Sequence, residues 1–217
     1  MFGMRRTLLL TLTAAMVVTA AASVFFAARA PSFETAQGAP RTMVSEAPPP
    51  AASPRAVAAR RLSVDEAIKE LDLVRPSRPK LADDFTIPTA AGTPFRLSAY
   101  RGRPVFINFW ATWCPPCLEE MPAMERLWQA QKAAGLVMLA VTVDADPKLV
   151  TPFLERHGLT FAVGLDTKMD VANTYGVRAL PSSFVIDREG RLAALAIGPR
   201  VWDNVAAHSL IERLATR

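Results

Sequence analysis

From about residue 85 onward, short apolar runs alternate with stretches of helical periodicity. Val105-Phe106-Ile107-Asn108-Phe109-Trp110 is a nearly unbroken apolar run and predicts a buried strand. Leu118 to Ala134 predicts a helix, with Pro122 expected to kink it because an interior proline removes one hydrogen bond and crowds the preceding turn. Gly135 ends that helix, and Leu136–Val143 predicts a second buried strand. Asp146 followed by Pro147 reads as an N-cap with proline in the first turn, opening a helix to His157. Phe161-Ala162-Val163 is a short strand, Asp166 to Tyr175 a short helix, and Ser183–Asp187 with Leu192–Ile197 a hairpin around Glu189-Gly190. Trp202 to Ala215 predicts a final amphipathic helix. Ahead of all these, Phe85-Thr86-Ile87 and Pro94-Phe95-Arg96-Leu97 form two short strands about Ala91-Gly92. Strands that alternate with helices and then close in a hairpin imply an α/β fold, a mixed central sheet flanked by helices on both faces.

The upstream third has a different pattern. Arg5 and Arg6 precede an uncharged, apolar run from Thr7 to Ala28, 22 residues long. A cleaved signal has an apolar core of about 7–15 residues, whereas a spanning helix needs about 20. The length favours an uncleaved signal-anchor over residues 1–30. Ala28-Arg29-Ala30 resembles a cleavage site, but Pro31 would follow the cut and hinder it. Arg5 and Arg6 stay cytoplasmic by the positive-inside rule, and Arg29 weakens that bias. The rest of the chain would then face the periplasm from the inner (cytoplasmic) membrane, as a single-pass protein. Residues 31–79 read as a Pro/Ala-rich linker with a short helix near Ser63–Leu73, where Ser63 and Glu66 form a capping box. The globular domain is expected over 80–217.

The net charge of +5 invites a nucleic-acid reading, so its location matters. Residues 1–79 hold 10 Lys+Arg and 6 Asp+Glu, a net of +4, while residues 80–217 hold 15 and 14, a net of +1. The globular part has no basic stripe, which argues against a nucleic-acid partner.

The chain has two cysteines, and they sit together as Trp113-Cys114-Pro115-Pro116-Cys117. A strand delivers both to the start of a helix, where free N–H groups and the positive helix end favour a thiolate. Zinc would need four ligands, and His157 and His208 have no ligand spacing to one another. A structural disulfide across so short a loop would constrain little unfolded-state entropy. A redox pair is the better reading, with no cofactor beyond the Cys114–Cys117 disulfide.

Asn108-Phe109-Trp110-Ala111-Thr112-Trp113-Cys114-Pro115-Pro116-Cys117 resembles the active site of thioredoxin-like proteins, nearest to the membrane-anchored TlpA/ResA-like thiol–disulfide oxidoreductases. Asp84-Phe85-Thr86, Glu120-Met121-Pro122 and the run Tyr175–Asp187 around Leu180-Pro181 support the resemblance, which covers about residues 80–217. It implies a thioredoxin-like fold with an N-terminal strand pair and an extra βα insertion between about Asp144 and Tyr175.

The resemblance implies that Cys114 is the exposed attacking thiol and Cys117 the buried resolving one. Pro115 and Pro116 withhold N–H donors from the Cys114 thiolate, which leans toward a reductant. Ordinary thioredoxins carry a buried acid at the place of Asn108. Asn108 cannot take a proton from Cys117, but Glu120, one helical turn on, can. Pro181 matches the family's cis-proline, with the Leu180 backbone open to an extended substrate segment. Trp113 is expected to be an apolar docking surface, Phe109 and Trp110 core, Trp128 and Trp202 helix packing residues, and Glu119 a solvated charge.

The expected function is reduction of specific protein disulfides with an upstream membrane electron donor, and the resemblance implies cytochrome c maturation or copper-site assembly as candidate settings. The alternatives are a disulfide-forming oxidase or isomerase, and a Cu(I) chaperone using the two thiolates.

Overall fold

Five strands form the central sheet in the order β5-β4-β3-β6-β7. The computed structural model describes residues 61–216, all in one compact unit, so the expected anchor and most of the linker lie outside the described residues. Among the described residues, no helix is long and apolar enough to cross a membrane.

The elements in chain order are α1 (Val64–Glu70), β1 (Thr86–Ile87), β2 (Phe95–Arg96), β3 (Val105–Trp110), α2 (Pro115–Gln131), β4 (Val137–Thr142), α3 (Val150–His157), β5 (Ala162–Leu165), α4 (Asp170–Thr174), β6 (Ser182–Ile186), β7 (Leu192–Ile197) and α5 (Val205–Thr216). β3, β4 and β5 run parallel, while β6 pairs antiparallel with β3 and β7 with β6. β1 and β2 make the separate two-stranded sheet that the sequence predicts.

β3 is central, and all six of its residues are buried, as its apolar run requires of a strand covered on both faces. Alternate side chains take opposite faces. Phe106 meets Trp202 edge-on at 4.7 Å, and Asn108 reaches α2 on the same side. Phe109 packs on Tyr175, at the end of α4, on the other. The stretch from Asp144 to Tyr175 adds α3, β5 and α4, as the insertion was expected to do.

α2 starts at Pro115, three residues earlier than the hydrophobic pattern alone suggests. Proline's fixed φ suits the first turn and its missing N–H costs nothing there. The helix continues through Pro122 to Gln131, and Gly135 then takes a left-handed φ of 104° to turn the chain into β4.

Residues 61–79 do not behave as a spacer. Ser63 and Glu66 complete the expected capping box, and α1 closes with a Schellman motif. In it Leu73 N donates to Ile68 O at 2.9 Å and Asp72 N to Lys69 O at 3.1 Å, with Asp72 in the left-handed region. Leu62, Val64, Ala67, Ile68 and Leu71 are buried in the same core as the sheet. Leu62 N donates to Ser209 Oγ of α5, Arg213 Nε donates to Leu62 O, and Val74 pairs with Leu195 of β7. The domain therefore begins upstream of the boundary expected at residue 80. The sequence hid this because the apolar face of α1 is short and its partner lies more than a hundred residues away.

Replacing Ile68 with Ala should lower the unfolding free energy by about 2–4 kcal/mol, the cost of a buried methylene cavity. Guanidinium unfolding of the variant measures it. An unchanged midpoint would return the segment to the role of a spacer.

Candidate active site

Cys114 is the N-cap of α2, Pro115 and Pro116 fill the first two helical positions, and Cys114 and Cys117 are joined as a disulfide. The loop before them is fixed by Asp144, which is buried at the end of β4. Its carboxylate accepts from Thr112 N at 3.0 Å, Thr112 Oγ1 at 2.8 Å and Thr142 Oγ1 at 2.6 Å. Asp144 was not a sequence candidate, since one acid after a strand carries no distinguishing signal.

The first turn of α2 offers the sulfurs little. Neither proline has an N–H, and the N–H groups of Cys117 and Leu118 both donate to Cys114 O, at 3.0 and 3.2 Å. Besides the two prolines, which have no N–H to give, the next two donors of the turn are engaged as well.

Cys117 is fully buried, and Cys114, expected to be exposed, is only 5% exposed. What Cys114 shows opens into a cleft of about 450 Å³. Trp113, Pro115, Val143, Met169 and Leu180 line it, with Arg178 also on its wall. Trp113 is 67% exposed, a large apolar face beside the disulfide. The Leu180–Pro181 peptide is cis.

Glu120 is the chemically unusual residue. It lies one turn after Cys117 on α2 and is 4% exposed, while its neighbour Glu119 is exposed. Oε1 accepts from Asn108 Nδ2 at 2.8 Å. Oε2 accepts from the backbone N of Arg200 at 3.0 Å and from Trp202 Nε1 at 3.1 Å. Burial pushes the Glu120 carboxyl up to about 6, against the lowering pull of these donors and of the Arg200 charge. The Asn108 amide also donates to Ser183 Oγ at 2.9 Å, and its Oδ1 is buried with no partner.

The structure thus brings Asn108 and Glu120 into hydrogen-bond contact one helical turn after Cys117, and places Trp113, Cys114, Pro115 and Leu180 around the cleft. Trp202 corrects the sequence reading: it is a hydrogen-bond donor to Glu120 as well as a packing residue. Arg200 and Ser183 were missed. Each is remote in sequence from Glu120, and no local pattern marks either. On its far side Glu120 borders a second, more polar groove of about 530 Å³, with Glu70, Asp72, Glu119, Arg200 and Asn204 also on its walls. His157 is exposed and stacks on Phe153, and His208 contacts Gln131, so both stand among packing partners.

The AhpC/TSA family model matches residues 80–195. The thiol-disulfide oxidoreductase ResA of Geobacillus thermodenitrificans is 42% identical over 128 residues, covering 58% of this chain and 73% of the relative. ResA of Bacillus anthracis is 35% identical over 129 residues, covering 59% and 75%. A solved thiol:disulfide interchange protein of the thioredoxin family from Chlorobium tepidum superposes with a TM-score of 0.55 at 29% identity, covering 62% of this chain and 99% of that one.

Glu120 carries a pH signature in stability. Its carboxyl rises from 4.5 to about 6 on folding, so the folded state holds the proton more tightly. That contribution is fully present below the unfolded value and is lost as pH rises through about 6, a change of about 2 kcal/mol. Glu120→Gln removes it, so the variant should gain stability relative to the parent by about 2 kcal/mol between about pH 4 and pH 7.5. Parallel stability profiles from chemical denaturation would show that folding leaves this carboxyl unshifted.

Proposed function

This chain belongs to the AhpC/TSA family and is a thiol–disulfide oxidoreductase, and from that premise we propose that it reduces disulfides in specific protein substrates on the periplasmic side of the inner membrane. The observation that carries the reading is the position of Cys114, at the floor of an apolar cleft beside the exposed indole of Trp113. An extended substrate segment lies in that cleft with an apolar residue against Trp113 and its backbone beside Leu180. The apolar run of residues 7–28 anchors the chain in the membrane, and a membrane protein upstream supplies electrons. Apocytochrome c thiols and thiols of copper-site assembly proteins are the substrate classes that suit such a tethered reductant.

The reaction runs from the reduced dithiol. The Cys114 thiolate attacks one sulfur of the substrate disulfide, and the other substrate sulfur leaves as a thiolate that takes a proton. Cys117 then attacks Cys114 Sγ, the second substrate sulfur leaves and is protonated, and the Cys114–Cys117 disulfide remains. Two electrons and two protons pass from the dithiol to the substrate. Glu120 takes the proton of Cys117 before the second attack, a task for which a carboxyl near 6 is suited.

The direction follows from the first turn of α2. With no donor from Pro115 or Pro116, and with the Cys117 and Leu118 N–H groups spent on Cys114 O, the Cys114 thiolate gains little from the helix end. A reduced state that is less stabilised gives up electrons more readily. Pro116→His supplies a cationic donor at the second helical position and should raise the reduction potential by about 30 mV or more, one decade in thiolate stabilisation. Equilibration with glutathione measures it, and an unchanged or lower potential would remove this basis for the direction.

Cys114→Ser should abolish reduction of insulin. Cys117→Ser should accumulate mixed disulfides with the true substrate, recoverable from cells by acid quench and alkylation. Retained insulin reduction in the first variant would refute Cys114 as nucleophile. Absence of any protein adduct in the second would argue against a protein substrate.

A further inference from the structure

The Arg200 side chain joins two regions that no sequence pattern connects. Its Nε donates to Leu71 O at 2.8 Å, and its Nη2 donates to Asp72 O at 2.8 Å and to Asp72 Oδ2 at 3.1 Å. Those carbonyls end α1, at the negative end of the helix, where a guanidinium is favoured. Nη1 turns back on its own loop and donates to Pro199 O at 2.9 Å. The fork therefore clamps the loop after β7 onto the end of α1. The same residue's backbone N–H donates to Glu120 Oε2. Both α1 and Arg200 lie outside residues 80–195, the part matched by the family model.

We infer that Arg200 is a positioning residue that couples docking of the upstream helix α1 to the hydrogen bonds around Glu120, so that the segment leading toward the N-terminus tunes the dithiol. The inference rests on the reading of Glu120 as the partner of Cys117. Its test needs no turnover, so failure of the reductase reading would leave it standing and measurable.

The charged groups facing Glu120 are few. Arg200 comes from the loop after β7, Glu70 and Asp72 come from α1 and the residues after it, and Glu119 comes from α2 itself. Asn108 of β3, Ser183 of β6 and Trp202 contribute neutral groups, and Cys117 is held in the disulfide. Arg200 is the one cation of this set, and both its N–H and its charge favour the ionised carboxylate. Freeing the clamp withdraws the N–H and leaves three acidic neighbours on the groove wall.

The experiment follows the carboxyl stretch of Glu120 by infrared spectroscopy of the oxidised full-length protein against pH, assigned by difference from Glu120→Gln. Arg200→Lys keeps the charge and loses the fork, and Arg200→Ala loses both. Both variants should move the midpoint upward, Arg200→Ala by about one pH unit and Arg200→Lys by about half of that. A wild-type midpoint in Arg200→Lys would reduce Arg200 to a plain charge and overturn the clamp, as would an unmoved midpoint in both. If Arg200→Ala does not fold, Arg200→Lys alone decides this arm. Hydrogen exchange tests the coupling from the other end. Ile68→Ala loosens α1 within the core and should speed exchange of the Arg200 amide roughly tenfold or more. Unchanged protection of that amide would mean that α1 and Glu120 are independent.

Discussion

The carboxyl of Glu120 must be satisfied inside the protein, and three separate parts of the chain converge to do it. A buried carboxylate without donors would cost several kcal/mol. Here β3 sends Asn108, the loop after β7 sends the N–H of Arg200, and the turn just before α5 sends the indole N–H of Trp202. The requirement fixes how α2 sits on the sheet, because Glu120 is on α2 and Asn108 is on the central strand. It also fixes where α5 begins, because Trp202 packs edge-on against Phe106 while its N–H faces the carboxyl. Since Cys117 lies one turn before Glu120, positioning the acid positions the thiol.

The two sides of the site have opposite character, and the difference serves the chemistry. Around Cys114 the cleft is walled by Trp113, Pro115, Val143 and Leu180, an apolar surround for the exposed edge of the disulfide. Glu120 borders a different groove, which contains carboxylates and Arg200. None of the cleft's lining residues lines the groove. The Pro-Pro dipeptide adds a local constraint by giving the helix an early start while leaving its first turn without free donors.

Much of this was legible in the sequence because the signals are local. The apolar run Val105–Trp110 reads as a buried strand, Gly135 and Glu189-Gly190 mark boundaries through turn chemistry that does not depend on the rest of the fold, and Asp146-Pro147 opens a 3-10 turn, Pro147–Leu149, that runs into α3 at Val150. Glu120 could be singled out because a helical turn relates it to Cys117. What stayed hidden depends on distance along the chain. Arg200 and Trp202 lie 80 and 82 residues from the carboxyl they serve. Gly198-Pro199 reads only as a loop, and Trp202 to Ala215 reads as one amphipathic helix, whereas α5 begins at Val205 and Trp202 stands in the turn before it. Asp144 and Ser183 stay hidden because an acid and a hydroxyl at strand ends are common, and their roles appear only once Thr112 and Asn108 are placed against them. The docking of α1 is hidden for a related reason. Leu62, Ile68 and Leu71 suggest a face, but nothing local says that α5 covers it.

The pairing of Asn108 with Glu120 makes one substitution depend on the other. The thioredoxin pattern places a buried acid on the strand, where this chain has Asn108. With the Asn108 amide 2.8 Å from Glu120 Oε1, an acid at position 108 would set two carboxyls face to face in a largely buried site. Two such groups cannot both ionise, and one would be held protonated well above its usual range. An amide avoids the repulsion and donates as well. It supports the ionised Glu120 through Nδ2 and ties the strand to Ser183 of β6. Its cost is a buried Oδ1 without a partner. Moving the carboxyl from the strand to the helix therefore exposes it to influences that an acid on β3 would not feel, because the helix position lies within reach of the loop after β7. The acid at 120 and the amide at 108 form one physical choice, and the contact with Arg200 follows from it.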